Sequence, residues 1–230
     1  AAFAAFGLVD EDRRGVFERN LELLEDALAG RALPGGDRLY PARPELLDRM
    51  WHATFSVQGA RHAGAKGAGL LLSRTQPRPA DRPDARLSDI QDPMIDAYLS
   101  ALPPGVAPRI LASRSVFAVD DRADALRFAE IGLRRYQARL AERGHASDVH
   151  LPVEELIRRQ DVHTGTPEEV VASLRSDRVM DRATDLAVQV HSIDPPHPLV
   201  LRSIELVARA VGPALGLPRR TSAEAARRVA

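Results

Sequence analysis

The residues best placed to do chemistry stand in a short turn. Ser56, Val57 and Gly59 lie between a predicted strand over residues 50–55 and a predicted helix over residues 60–67. Free N–H groups at a helix N-terminus, together with the helix dipole, bind phosphate. The Ser56 hydroxyl adds a hydrogen-bond donor, and Gly59 has no side chain to obstruct approach to the backbone. The turn therefore has the chemistry of a phosphate site.

A structural interpretation of the same residues stays open. Serine is a common helix cap, and Gly59 eases a tight turn whether or not a ligand binds there. Thr54 and His52 share a strand face with Ser56 because side chains alternate along a strand. The sequence thus leaves two roles for this turn, capping and phosphate binding.

Polar residues also end two other predicted strands. Ser73 and Arg74 follow the strand over residues 69–73, and Arg74 either pairs with a phosphate or faces solvent. Gln189 and His191 close the strand over residues 186–191, where a histidine could steer proton transfer. For both of these residues, a hydrogen-bonded structural role is the alternative.

Several kinds of site are excluded. The chain contains no cysteine, so disulfides, thiolate metal sites and a cysteine nucleophile are absent. His145, His150 and His163 are predicted in loops without the spacing of a metal site, and His62 is predicted on a helix surface. The sequence also lacks a nucleophile elbow, a P-loop and a dinucleotide-binding glycine pattern.

Charge and hydropathy limit the partners. The chain has 32 basic and 32 acidic residues, so no net charge favours nucleic acid or an anionic membrane. No apolar run reaches the ~18 residues that a membrane helix needs. We therefore expect no nucleic-acid or membrane partner and a cytoplasmic location.

The turn is one element of an alternating series of strands and helices. A strand over residues 109–119 joins the three named above, and helical patterns separate all four. A long loop covers residues 74–88, Asp10 or Asp12 and Asp120 or Asp121 are candidate helix caps, and Thr166 followed by Pro167 starts another helix. This alternation predicts an α/β fold with a parallel sheet.

The order of these segments resembles a known family. WHATFSVQGARHAGAKGAGLLLS (51–73) is similar to the fifth-to-sixth strand segment of the (β/α)8 barrel of luciferase-like flavin monooxygenases. ILASRSVFAVDDRADALRFAE (110–130) looks like their seventh strand and its helix, and TGTPEEVVASL (164–174) like their Gly-x-Pro-Glu-x-Val helix start. The segments over residues 6–30 and 185–215 also agree in order, so the resemblance covers roughly residues 3–216.

The resemblance implies a fold and a function. The fold is an α/β TIM barrel, of which this chain covers roughly strands 5–8 as one domain over residues 1–230, with residues 217–230 as a flexible tail. The function is an FMN-dependent monooxygenase, in which Thr54, Ser56, Val57 and Gly59 hold the phosphate and ribityl chain. Reduced FMN, delivered by a separate reductase, activates O2 to oxidise a small organic substrate.

Two further functions remain open beside this one. The first is a dehydrogenase of the same fold that uses the deazaflavin F420, and the second is a truncated flavin-binding protein without turnover. The family's first four strands have no counterpart in the sequence. A partial barrel exposes strand edges and apolar faces, so we expect a homo-oligomer rather than a stable lone monomer.

Overall fold

The structure is a computed structural model that describes residues 2–8, 12–144, 148, 150–190 and 195–217. The chain forms two compact units, one within residues 1–51 and the other within residues 52–230. The predicted tail lies outside the described residues except for Leu217. None of the helices in the described part of the chain combines the length and apolar character needed to span a membrane.

The first unit is helical. It contains α1 (Ala2–Ala5), α2 (Arg13–Leu28) and a 3₁₀ helix (Pro44–Arg49). Asp12 caps α2, since its carboxylate accepts hydrogen bonds from the N–H groups of Arg14 and Gly15. Gly30 follows the helix with φ of 72°, the left-handed conformation that glycine adopts without strain. The Asp12 cap confirms the prediction from sequence.

The second unit alternates strands and helices. Its elements, in chain order, are β1 (Trp51–Thr54), α3 (Val57–Ala65), β2 (Gly69–Leu72), α4 (Leu87–Ala101), β3 (Ile110–Ala118), α5 (Arg122–Glu142), α6 (Val153–Arg159), β4 (Val162–Gly165), α7 (Pro167–Arg175), a 3₁₀ turn (Arg178–Asp181), β5 (Asp185–Gln189), α8 (His197–Leu206), a π-helical turn (Val207–Val211) and α9 (Gly212–Ala214). The predicted alternation is therefore confirmed.

Strand β3 is the centre of a five-stranded sheet. Strands β2, β4 and β5 all pair with it in parallel, and β1 lies next to β2. Ser115 of β3 pairs with both Val162 of β4 and Gln189 of β5, so β4 and β5 lie on opposite edges of β3. Leu111 pairs with both β2 and β5. Strands β2 and β4 therefore pair with the same edge of β3, with β4 following on from the point where β2 ends at Leu72.

The two faces of β3 are covered by different helices. Ile110 and Ala112 pack against α3 and α4, while Val116 and Ala118 pack against α7 and the end of α8. Phe117 points to the opposite face and packs with α5 and α6. Because side chains alternate along the strand, one face of β3 is covered by helices along its whole length. The other face is covered by α5 only beyond Ser115.

Two sequence predictions about histidines need correction. His163, predicted in a loop, lies in β4, a strand too short to show alternation in the sequence, and its side chain is buried. His62, predicted on the surface, is partly buried and stacks on His52 with ring centroids 6.0 Å apart. His145 and His191 lie outside the described residues.

Candidate functional site

The predicted turn is a helix cap built from three residues. Ser56 precedes α3 in an extended conformation, and its hydroxyl accepts a hydrogen bond from the Gly59 N–H at 3.0 Å. The Ser56 N–H donates to Oγ1 of Thr54 at 3.2 Å, and the two hydroxyls lie 3.4 Å apart. The interpretation of Ser56 as a helix cap is therefore correct. The cap uses an acceptor position on the Ser56 hydroxyl oxygen and does not use the hydroxyl hydrogen.

Gly59 is needed by the fold for a reason other than the one inferred from sequence. A Cβ atom at residue 59 would lie 2.1 Å from Oγ1 of Thr54. The absent side chain therefore makes room for Thr54, the residue that fixes Ser56.

An anion could still be bound by the start of α3. The turn is exposed, with Val57 46% accessible, and the Val57 N–H has no hydrogen-bond partner among the described residues. The helix dipole adds partial positive charge at this end. These groups fit a phosphate, which would accept hydrogen bonds from the Val57 N–H and from the Ser56 hydroxyl.

A cavity of about 1020 Å³ lies where β2 and β5 end. Its walls come from the loop after β2, the face of the sheet that carries Ser115, and helix α5. Arg74, Ser115, Tyr136 and Gln189 contribute polar groups to it. Ligands of parallel α/β proteins gather at the carboxyl ends of strands, and this is such a place.

One hydrogen bond joins the turn to this cavity. The side-chain amide of Gln76 donates to the carbonyl oxygen of Phe55 at 2.9 Å, and Gln76 itself lines the cavity. Phe55 directly precedes Ser56. The cap of α3 and the rim of the cavity are therefore held together by a side chain that the sequence did not single out.

Arg74 faces the cavity rather than bulk solvent. Its guanidinium donates to the Ser115 hydroxyl at 3.3 Å, and partial burial lowers its pKa despite the opposing effect of Tyr136. Ser73 instead shapes the turn, since its hydroxyl accepts the Thr75 N–H at 3.2 Å. Of the two predicted residues, Arg74 alone lines the cavity.

Three cavity residues show which parts of this site the sequence predicted and which it missed. Gln189 was a candidate, and its pairing with Ser115 places it in the same wall. Ser115 was missed, although its alternation with the core residues Ile110 and Ala112 was a usable signal. Tyr136 was also missed, because nothing in the local sequence indicates that α5 packs over the face of the sheet that carries Ser115.

A buried network supports the loop that carries Arg74. The Arg114 guanidinium donates to the Asp177 carboxylate at 2.5 Å and to the Gln91 amide oxygen at 3.0 Å. Gln91 in turn donates to the Ser73 carbonyl at 2.8 Å. This chain of hydrogen bonds connects α4, β3 and the end of α7 to the residue before Arg74.

A second, smaller cavity of about 230 Å³ lies beside β4. His163 lines it, and its Nδ1 lies 2.9 Å from the Ser173 hydroxyl. Burial lowers the pKa of His163 to about 4, which Asp177 opposes and Arg114 reinforces. The histidine is therefore neutral near pH 7. In the described part of the chain, no group of three or more His, Asp or Glu side chains could hold a metal ion.

Solved structures share this arrangement of strands and helices. MsnO8 in its apo form is 22% identical over 95% of this chain, with a TM-score of 0.63. The monooxygenase RslO1 from Streptomyces bottropensis is 19% identical over 92% of the chain, also at 0.63. The chain has the fold of luciferase-like flavin monooxygenases.

A third solved structure contains a cofactor. The oxygenating constituent of 3,6-diketocamphane monooxygenase from Pseudomonas putida, in complex with FMN, is 16% identical over 91% of the chain with a TM-score of 0.55. The chain spans 65%, 64% and 65% of these three proteins, respectively. Neither family models nor the sequences of curated proteins match it. The fold resemblance inferred from sequence is confirmed.

Proposed function

We propose that the chain is the flavin-binding part of an FMN-dependent monooxygenase that uses reduced flavin and O2 on a small organic substrate. The observation that carries this proposal is the polar cavity at the ends of β2 and β5, in a sheet whose fold is shared with monooxygenases. One of the similar structures contains FMN.

In this proposal the sheet is part of a (β/α)8 barrel. Strands β1, β2, β3 and β5 are its strands 5–8, and β4 is an additional strand on the edge that β2 vacates. The whole chain then belongs to a single barrel domain. A homo-oligomer, a separate flavin reductase and a cytoplasmic location complete the proposal.

The turn before α3 would hold the FMN phosphate. The Val57 N–H and the Ser56 hydroxyl are the donors, while Thr54 and Gly59 fix the serine in place. When bound, reduced flavin supplies the electrons that activate O2. The protein orients the cofactor, and helix α5 closes the cavity on one side, which limits the access of water.

Flavin titration with two variants of Ser56 tests the phosphate site. Ser56→Ala removes the donor and the cap together, so FMN affinity should fall by about 1–2 kcal/mol. Ser56→Asp retains a good cap but places a carboxylate beside the phosphate. It should therefore weaken FMN strongly while sparing riboflavin. Ser100→Ala on the exposed face of α4 is the control and should change neither affinity.

The outcomes separate the alternatives. Unchanged FMN affinity in both Ser56 variants would remove Ser56 from the cofactor site. Oxygen uptake with reduced FMN supports a monooxygenase, whereas turnover of reduced F420 without oxygen would establish the dehydrogenase. Flavin binding without any turnover would leave a non-catalytic flavin-binding protein.

A further inference from the structure

Basic side chains outnumber acidic ones in the lining of the large cavity. Five arginines line it, and Arg78 and Arg159 among them form ion pairs with described carboxylates. Arg78 pairs with Asp161, and Arg159 pairs with Asp148 at 3.2 Å and also with Asp84 and Glu155. Asp148 is the one acidic residue in the described lining.

Arg74 differs from these paired arginines. Its described polar contact is the uncharged Ser115 hydroxyl, and no described carboxylate lies within ion-pair distance of it. Its guanidinium is partly buried. Removing an unpaired charge from water is costly, and an anion in the cavity would offset that cost. Partial burial also lowers the pKa of Arg74, which is consistent with an incompletely compensated cation.

Gln76 provides an independent observation in the same cavity. The side chain is 4% exposed, and its orientation is fixed because the amide nitrogen donates to the Phe55 carbonyl. The amide oxygen is buried and has no hydrogen-bond partner among the described residues. A buried acceptor without a donor costs free energy, so a ligand that donates a hydrogen bond here would satisfy it.

We infer that the substrate is an organic anion that also carries a hydroxyl or N–H group. Arg74 binds its acidic group, and the amide oxygen of Gln76 accepts a hydrogen bond from its donor. This inference rests on the proposed monooxygenase function. The cavity volume of about 1020 Å³ is at the upper end of the usual range for ligand sites, so it has room for a substrate beside a flavin.

Calorimetric titration of the full chain with p-hydroxyphenylacetate and its neutral amide tests the acid-binding role. The acid should bind about 10- to 100-fold more tightly than the amide, and Arg74→Gln should abolish that preference. Arg19→Gln, a change of an exposed arginine in α2, should retain it. Equal binding of acid and amide, a preference that survives in Arg74→Gln, or no binding of the acid would overturn the inference.

The Gln76 role is tested with the same protein and a second pair of probes. Gln76→Met has similar volume but no amide oxygen, so it should remove the advantage of p-hydroxyphenylacetate over phenylacetate. It should leave the preference for acid over amide in place. An advantage of the hydroxyl that persists in Gln76→Met excludes Gln76 as its acceptor.

FMN and riboflavin distinguish the two sources of an anion. If Arg74→Gln weakens FMN but not riboflavin and leaves the acid probe unaffected, Arg74 binds the cofactor phosphate, and the substrate inference is wrong while the flavin function stands. If the unmodified chain binds the acid but no flavin, the proposed function fails and the acid site stands.

Discussion

The buried ion pair behind the cavity allows a sharp test of how the site is supported. Arg114 is completely buried at its side chain and Asp177 is 10% exposed, with their closest nitrogen and oxygen 2.5 Å apart. Asp177→Asn removes the negative charge but keeps an oxygen for the Val179 N–H, which Asp177 accepts at 3.0 Å. The substitution therefore removes the negative charge of residue 177 without removing the oxygen that accepts the Val179 N–H.

The expected cost follows from the burial of Arg114. Its guanidinium retains the Ser113 carbonyl at 2.8 Å and the Gln91 amide oxygen, but no other carboxylate is paired with it in the described structure. Breaking a buried pair in this way costs about 3–5 kcal/mol. For a domain of this size the midpoint of thermal unfolding should fall by about 6–20 °C.

Circular dichroism during heating and in urea measures this change. The matched control is Asp124→Asn, which breaks an exposed pair with Arg127 and should cost less than about 1 kcal/mol. Because Gln91 also holds the Ser73 carbonyl, Asp177→Asn should weaken acid binding at Arg74 as well. Equal losses of stability in the two variants would refute the assignment of Arg114 and Asp177 as a structurally required pair.

Three other changes have expected outcomes. Gly59→Ala should destabilise the protein by about 1–3 kcal/mol, because the contact with Thr54 outweighs the better helix propensity of alanine. Gly64→Ala should cost about 3 kcal/mol, since its Cβ would lie 2.3 Å from the backbone oxygen of Tyr98 and would push α3 from α4. Stability should also fall by about 3 kcal/mol as the pH drops from about 6.5 to about 4, because unfolded His163 then binds a proton that the folded protein excludes.

Urea titration measures each of these changes. Gly59→Ala should cost less in a Thr54→Ala background, and an equal cost in both backgrounds would contradict the proposed contact. Gly35→Ala, where a Cβ meets open space, is the control for Gly64 and should leave stability nearly unchanged. For the pH effect, His163→Gln should flatten the dependence between pH 7 and 4.5, and an unaltered slope would exclude this histidine as its source.

The sequence by itself predicted four of the five strands, the helices between them and several helix caps, but not β4. Asp12, Asp121 and Thr166 begin helices in the structure as their types and positions predict. These assignments succeed because a cap and an apolar period are local properties that a few neighbouring residues decide. The serine cap at Ser56 belongs to the same class.

Only the tertiary structure decided which residues surround the cavity. Ser115, Gln76 and Tyr136 come together because strand pairing and the position of α5 bring distant segments to one place, and no local pattern specifies that encounter. Strand β4 is four residues long and forms on the part of β3 that extends beyond β2, so its pairing depends on its neighbour more than on its own composition. The same packing buries His163 and places Arg74 beyond ion-pair distance of every carboxylate in the described residues, and these electrostatic properties arise from burial rather than from residue type.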